Sequence, residues 1–243
     1  MQLRLAFYNI HSGLDSHGEP NCERIGRWLR DHRVDVCGVV EVEGTIASGC
    51  VDWLSGLARS AGMDYLAYGE CFGFDHTETG HGTFGNGVLS RIPLRSEHNL
   101  LLTPAELQWN GENPETEPRC ALYVILATET APGVSVVITH FPYGRESAAR
   151  AAAAQSLAQA LTTVPGVLVV AGDFNAEFDS PEMAPVRALG FAYRPSRRPT
   201  YPTGAAASEL DLILVRGGDL VAYTVDSAAQ MSDHYPVLAD IQL

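Results

Sequence analysis

The chain has 243 residues, enough for one large domain with a real core, and its 46% apolar and 19% charged residues exclude a disordered protein. Against 16 Lys and Arg stand 29 Asp and Glu, a formal net charge of −13. Affinity for nucleic-acid backbones comes mainly from cations on phosphates, so this balance disfavours a general nucleic-acid binder while leaving room for a local basic site.

The chain starts with "LRLAFYNI" (3–10), an alternating strand pattern with no apolar leader region before it. "CERIGRWLRDHR" (22–33) places Ile25, Trp28 and Leu29 on one helical face, and after the strand "VDVCGVVEV" (34–42) a second helix, "VDWLSGLARSAG" (51–62), does the same with Trp53, Leu54 and Leu57. Residues 70–86 and 103–118 read as long loops flanking the strand "GVLSRI" (87–92), and loops of that length are commonly functional. Strands follow at "CALYVILAT" (120–128) and "SVVITHF" (135–141). An alanine-rich helix over 145–164, closed by Pro165 and Gly166, leads to "VLVVAGDF" (167–174), then "LDLILV" (210–215) and "YPVLADIQL" (235–243). Helices interleave with strands early but not in the middle or at the end, which points to mixed sheets with covering helices.

Five cysteines, Cys22, Cys37, Cys50, Cys71 and Cys120, are odd in number and lack CxxC spacing. The reading expects neither a zinc cage nor a disulfide framework, and a reducing cytoplasm as the compartment. No apolar run approaches the roughly 18 residues of a membrane helix, and a monomer is expected.

Chemistry-bearing side chains gather at strand ends. In "VLVVAGDFNA", Gly172 permits a tight turn, and Asp173 and Asn175 share a side because strand residues alternate faces; an Asx turn explains the pair equally well. "MSDHYPV" sets Asp233 and His234 before a strand, and "VVITH" delivers His140 at the end of one. Asn9 closes the first strand, Glu41 the second, and Asp211 opens another. If the sheets bring these ends together, carboxylates, a carboxamide and two imidazoles share one cleft. Such oxygen donors suit Mg²⁺ or Mn²⁺ and not a closed zinc site.

In order, "FYNIHSG", "DVCGVVEV", "TFGNGVLSRIPL", "EPRCALYV", "THF", "GDFNA", "ELDLILV" and "SDHYPV" resemble the endonuclease/exonuclease/phosphatase superfamily, with matches from residue 7 to residue 237. The resemblance implies a four-layer sandwich, two packed mixed β-sheets flanked by helices, and a metal-dependent phosphoesterase acting on a small phosphoester, with one ion or two. By that resemblance Glu41 looks like the principal metal ligand, with Asn9 beside it and Asp233 opposite. Asp173 and Asn175 look like the groups that orient water and hold phosphoryl oxygens. His234 looks like the phosphate-contacting histidine positioned by Asp211, with His140 on the opposite wall. Arg119 matches a family arginine, although a surface ion pair explains an isolated Arg as well. Val40 stands where many relatives have Gln. Glu43 shares the strand face of Glu41, and alignment to the motif favours Glu41. A nuclease is the alternative reading, and a catalytically silent binding protein a third. Arg194, Arg197 and Arg198 form a compact cationic segment, expected either at the rim of the cleft or as a solvated loop.

Overall fold

The computed structural model describes residues 1–45, 51–76, 80–103, 116–128, 133–195 and 198–243. Two mixed sheets carry the fold. The first has six strands in the order β10-β11-β1-β2-β4-β3, formed by β1 (Gln2–Asn9), β2 (Val36–Thr45), β3 (Tyr65–His76), β4 (Gly80–Ser90), β10 (Asp219–Val225) and β11 (Val237–Gln242). The second has five in the order β5-β6-β7-β8-β9: β5 (Leu94–Leu101), β6 (Cys120–Leu126), β7 (Val134–His140), β8 (Val167–Asp173) and β9 (Asp211–Arg216). Helices α1 (Cys22–Asp31) and α2 (Val51–Ala61) cover the first sheet, and α3 (Ser147–Leu161) covers the second.

Side-chain alternation explains the layering. On β1, Leu3, Leu5 and Phe7 join Val136 and Ile138 of β7 and Val169 of β8 in the core between the sheets. Ala6 and Tyr8, pointing the other way, pack with Ile25, Trp28 and Leu29 of α1 and Leu54 and Leu57 of α2. Across the second sheet, Val137, Val170 and Leu212 meet Ala153, Ala154, Leu157 and Leu161 of α3. The result is the four-layer sandwich that the motifs imply. Full burial of each such aliphatic side chain contributes about 1.5–3 kcal/mol. The sheets approach closely because Gly38 has no side chain: a Cβ there would lie 2.1 Å from Ile138 Cδ1.

Several expectations are corrected. Residues 70–76 and 80–86 form not a loop but most of the paired strands β3 and β4, with partners from Tyr65↔Ser90 to His76↔Gly80 and a bulge at Glu70/Phe72, while residues 77–79 lie outside the described residues. Frequent glycines hide their alternation, while the ladder satisfies their backbone whatever the local propensities. Strands β5 and β10 are additional as well. Of the second expected loop, residues 104–115 lie outside the described residues. Cys71 and Cys120 are joined by a disulfide that ties β3 of one sheet to β6 of the other across 49 residues, with Cα atoms 5.2 Å apart. Cysteine spacing carries no sign of it because sheet packing creates the proximity. The pairing also removes the cysteine argument for a reducing compartment. Cys22 and Cys37 are free, and Cys50 lies outside the described residues.

Candidate active site

Strand register assembles the site. In the second sheet His140 pairs across the ladder with Asp173, and Asp173 with Asp211, so one row crosses β7, β8 and β9. Residues directly opposite in neighbouring strands present side chains on the same face, close enough to touch. Gly172 serves close approach and not a turn, contrary to the simple reading of its motif. It lies within β8, and a Cβ there would meet the Thr139 backbone oxygen and Cγ2 at 2.6 Å.

The first sheet supplies the opposite wall. Asn9 ends β1 opposite Val40, and the β2–β4 register shifts between Val39 and Val42. Within this bulge Glu41 has φ of 61°, a left-handed conformation that strains a residue bearing a Cβ. The bulge breaks the strict alternation that would make Glu41 and Glu43 equivalent. Glu41 Oε1 accepts from Asn9 Nδ2 at 2.9 Å, whereas Glu43 Oε1 accepts from Ser12 Oγ at 2.6 Å. His11 and Ser12 also have positive φ, 48° and 52°, and the His11 amide donates to Asn9 Oδ1 at 3.1 Å. That bond orients the Asn9 carboxamide.

Asp173 is the meeting point. Its Oδ1 accepts from the Asn175 amide at 2.9 Å, an Asx turn, and its Oδ2 accepts from Asn9 Nδ2 at 3.1 Å. The same Oδ2 lies 3.7 Å from His140 Nε2 and 3.6 Å from His234 Nε2. The Asx-turn reading and the functional one are thus both met, by different oxygens of one carboxylate. Asn175, at φ of 48°, donates through Nδ2 to the Phe141 carbonyl at 3.0 Å.

The two histidines are held in opposite states. His234 Nδ1 lies 2.7 Å from Asp211 Oδ2, with Asp173 near its other nitrogen. Burial opposes its charge, but the carboxylates of Asp211 and Asp173 prevail and raise its pKa to about 10. Burial also pushes Asp211 upward against the pull of His234; with two carboxylates facing the ring, the shared proton rests on the imidazole. For His140, burial and then the neighbouring Arg119 and His234 cations lower the pKa well below its ordinary value. Arg119 Nη1 lies 3.0 Å from His140 Nδ1, and a guanidinium can only donate. Neutral His140 therefore accepts at Nδ1 and carries its proton on Nε2, directed at Asp173.

Arg119 is 1% exposed and pairs with Glu117 at 2.6 Å, which sets aside the surface ion-pair reading. Asp233 lines the same cleft and bonds Ser232 Oγ at 3.2 Å, with His11 Nδ1 at 3.9 Å. Burial raises the Glu41 carboxyl, countered by its bond from Asn9. Sequence reasoning passed over Tyr201, whose ring centroid lies 4.6 Å from that of His234, and Phe72, Phe74, Phe84, Glu117 and Tyr143, which also line the cleft of about 770 Å³. The phenylalanines were hidden in a segment read as loop or glycine-flanked turn, and Tyr143 follows His140 with no periodic signal.

Of the cationic segment, the described Arg194 and Arg198 do not line this cleft. Arg194 donates to the Val221 carbonyl at 3.2 Å, Arg198 lines separate depressions, and Arg197 lies outside the described residues.

The sequence profile of the Endonuclease/Exonuclease/phosphatase family matches residues 6–234, and the chain belongs to that family of phosphoester hydrolases. No curated protein matches it. Solved structures share the fold. An endonuclease/exonuclease/phosphatase from Beutenbergia cavernae DSM 12333 superposes with a TM-score of 0.79 at 22% identity, covering 100% of this chain and 72% of that one. A mannosyl-6-phosphatase of Bacteroides thetaiotaomicron VPI-5482 gives 0.73 at 15% identity, with 99% and 100% covered. ANGEL2, a 2',3'-cyclic phosphatase solved with adenosine-2',3'-vanadate, gives 0.71 at 15%, with 100% and 96% covered. Among the described residues no helix is long and apolar enough to cross a membrane.

Proposed function

We propose that the chain is a divalent-metal-dependent phosphoesterase that hydrolyses a phosphodiester or phosphomonoester bond of a small molecule or lipid headgroup. One observation carries the reading: the Nε2 atoms of His140 and His234 converge on Asp173 Oδ2, at 3.7 and 3.6 Å. A phosphoester is anionic and repels an incoming nucleophile, so its hydrolysis needs donors for the phosphoryl oxygens and a base for water. Asp173, with Oδ1 held by the Asn175 amide, has Oδ2 placed to take the proton of an attacking water. At 3.6 and 3.7 Å from Asp173 Oδ2, the Nε2–H groups of cationic His234 and neutral His140 are available to donate to phosphoryl oxygens when substrate binds beside that carboxylate. Asn175 and Arg119 hold these groups in place, Arg119 through His140. A water oxygen–phosphorus bond forms and one ester P–O bond breaks; Asp173 takes the water proton and solvent protonates the leaving oxygen.

The donor chemistry fits a hard cation. The carboxylates of Glu41, Asp173 and Asp233 line one cleft in which Arg119 is already paired with Glu117, and Asp211 lies buried behind His234. Glu41, Asp233 and Asn9 would hold Mg²⁺ or Mn²⁺, one ion or two. Asn9 now turns its amide nitrogen to Glu41, so ligation through its oxygen needs the amide rotated by half a turn, which exchanges donor for acceptor. Also, Asp173, Asp211 and His234 place ligand atoms within 4.8 Å of one another, but Asp211 is engaged by His234. When bound, a divalent ion supplies charge neutralisation at the phosphoryl group. The activities of the mannosyl-6-phosphatase and of the cyclic phosphatase support a small substrate of this bond type.

The test is a panel of phosphodiesters and phosphomonoesters assayed with Mg²⁺ and with Mn²⁺. At least one ester should turn over, chelation should abolish the reaction, and metal should restore it. Full activity after exhaustive chelation, with no metal found by elemental analysis, overturns the reading.

A further inference from the structure

We infer that the β3–β4 wall of the cleft is a stacking shelf for a planar ring on the substrate, so that the favoured phosphoester carries an aryl or nucleobase group; this rests on the phosphoesterase reading of the site. Phe72, Phe74 and Phe84 line the same cleft as His140, Asp173 and His234. Phe72 and Phe84 are directly opposite in the hairpin, with ring centroids 5.1 Å apart and planes 23° apart. Phe74 lies opposite Gly82, where a Cβ would come within 2.7 Å of its ring atoms Cε2 and Cζ. Glycine thus lets the ring lie down across the partner strand, and the wall is flat where a side chain would make it ridged.

Arg119 continues the shelf towards the reacting centre. Its guanidinium carbon lies 5.9 Å from the Phe84 centroid and 5.7 Å from that of Tyr143, and it bonds His140. Tyr143 is 57% exposed. The buried Arg119 guanidinium thus links the aromatic side chains of this wall to His140. A planar ring matches what the wall offers, by dispersion and by the quadrupoles of the rings. The volume of about 770 Å³ suits a ligand the size of a mononucleotide.

The test uses phosphonates, whose P–C bond is not hydrolysed, so that binding is read apart from turnover. With Mg²⁺ present, phenylphosphonate, cyclohexylphosphonate, methylphosphonate and an adenine-bearing phosphonomethoxyethyl compound are titrated calorimetrically. A ring-bearing ligand is expected to bind about tenfold tighter than methylphosphonate, on the scale of one stacked ring, and phenyl tighter than cyclohexyl. Whether phenyl or adenine leads distinguishes an aryl from a nucleobase group. Phe74→Ala should bring the phenyl-to-methyl affinity ratio close to one, and Tyr143→Ala, at an exposed position, provides the same test where Phe74→Ala does not fold. Equal affinities, including no binding at all, a cyclohexyl ligand as tight as phenyl, or an unchanged ratio in the folded variants each overturn the inference. Parallel ³¹P NMR assays of ester hydrolysis separate the two readings: ring preference without hydrolysis of any ester sinks the phosphoesterase reading alone, and hydrolysis without ring preference sinks the shelf alone.

Discussion

Asp173 divides its two oxygens between a turn and a reaction, and this division makes its neighbours testable one at a time. Asp173→Asn should lower kcat a hundredfold or more, on the order of the loss of a general base, with unchanged circular dichroism. His234→Ala should do the same by removing a charged donor. A folded variant that retains most of its rate would show that the role lies elsewhere. The His234–Asp211 pair also has a signature in stability. A histidine whose pKa is raised from 6.5 to about 10 on folding contributes stability that is fully present below pH 6.5 and lost as the pH rises towards 10. Urea midpoints of the metal-free protein should therefore fall between pH 6.5 and pH 9.5, and Asp211→Asn, which removes the first carboxylate supporting the cation, should flatten that fall. A variant with the same slope as the parent would count against the cationic His234.

Among the elements, the β3–β4 hairpin depends on a cross-link to the other sheet. The Cys71–Cys120 bridge closes a long loop of chain, so replacing both cysteines by Ser should lower stability by about 2–4 kcal/mol in denaturant unfolding. The bridge lies beside Phe72 on one strand and Arg119 on the other, so KM should rise more than kcat falls. On the outer face of the second sheet, α3 holds Leu157 fully buried. Leu157→Ala should cost about 2–5 kcal/mol while the rate per folded molecule stays the same, because the cavity opens away from the cleft. A large loss of rate at full folding would couple α3 to the site. The strands that sequence reasoning missed, β3, β5 and β10, are all at sheet edges. An edge strand pairs on one side only and turns many side chains to solvent, as the mostly exposed pattern of β5 shows, so it lacks the apolar run that marks β7 or β8.

For the whole molecule, the formal net charge of −13 opposes a long polyanion at every approach. Plasmid DNA should be cut slowly beside the best small phosphoester, and more slowly still at low salt, where repulsion is least screened. Rapid nicking at low salt would restore the nuclease reading. The strands that cross the core, the helical faces that cover them and the polar residues at strand ends were all legible in the chain alone, because alternation and helical periodicity are local properties. The order of its motifs was enough to imply the family, and with it the sandwich. Only the tertiary structure decided which ends meet: the row His140–Asp173–Asp211 follows from strand register, and the distinction of Glu41 from Glu43 follows from a bulge. It also decided that Arg119 is buried against His140, that Cys71 reaches Cys120, and that three phenylalanines form a wall. Each of these joins residues far apart in the chain, and the packing of one sheet on the other, with no local signature, sets the distance between them.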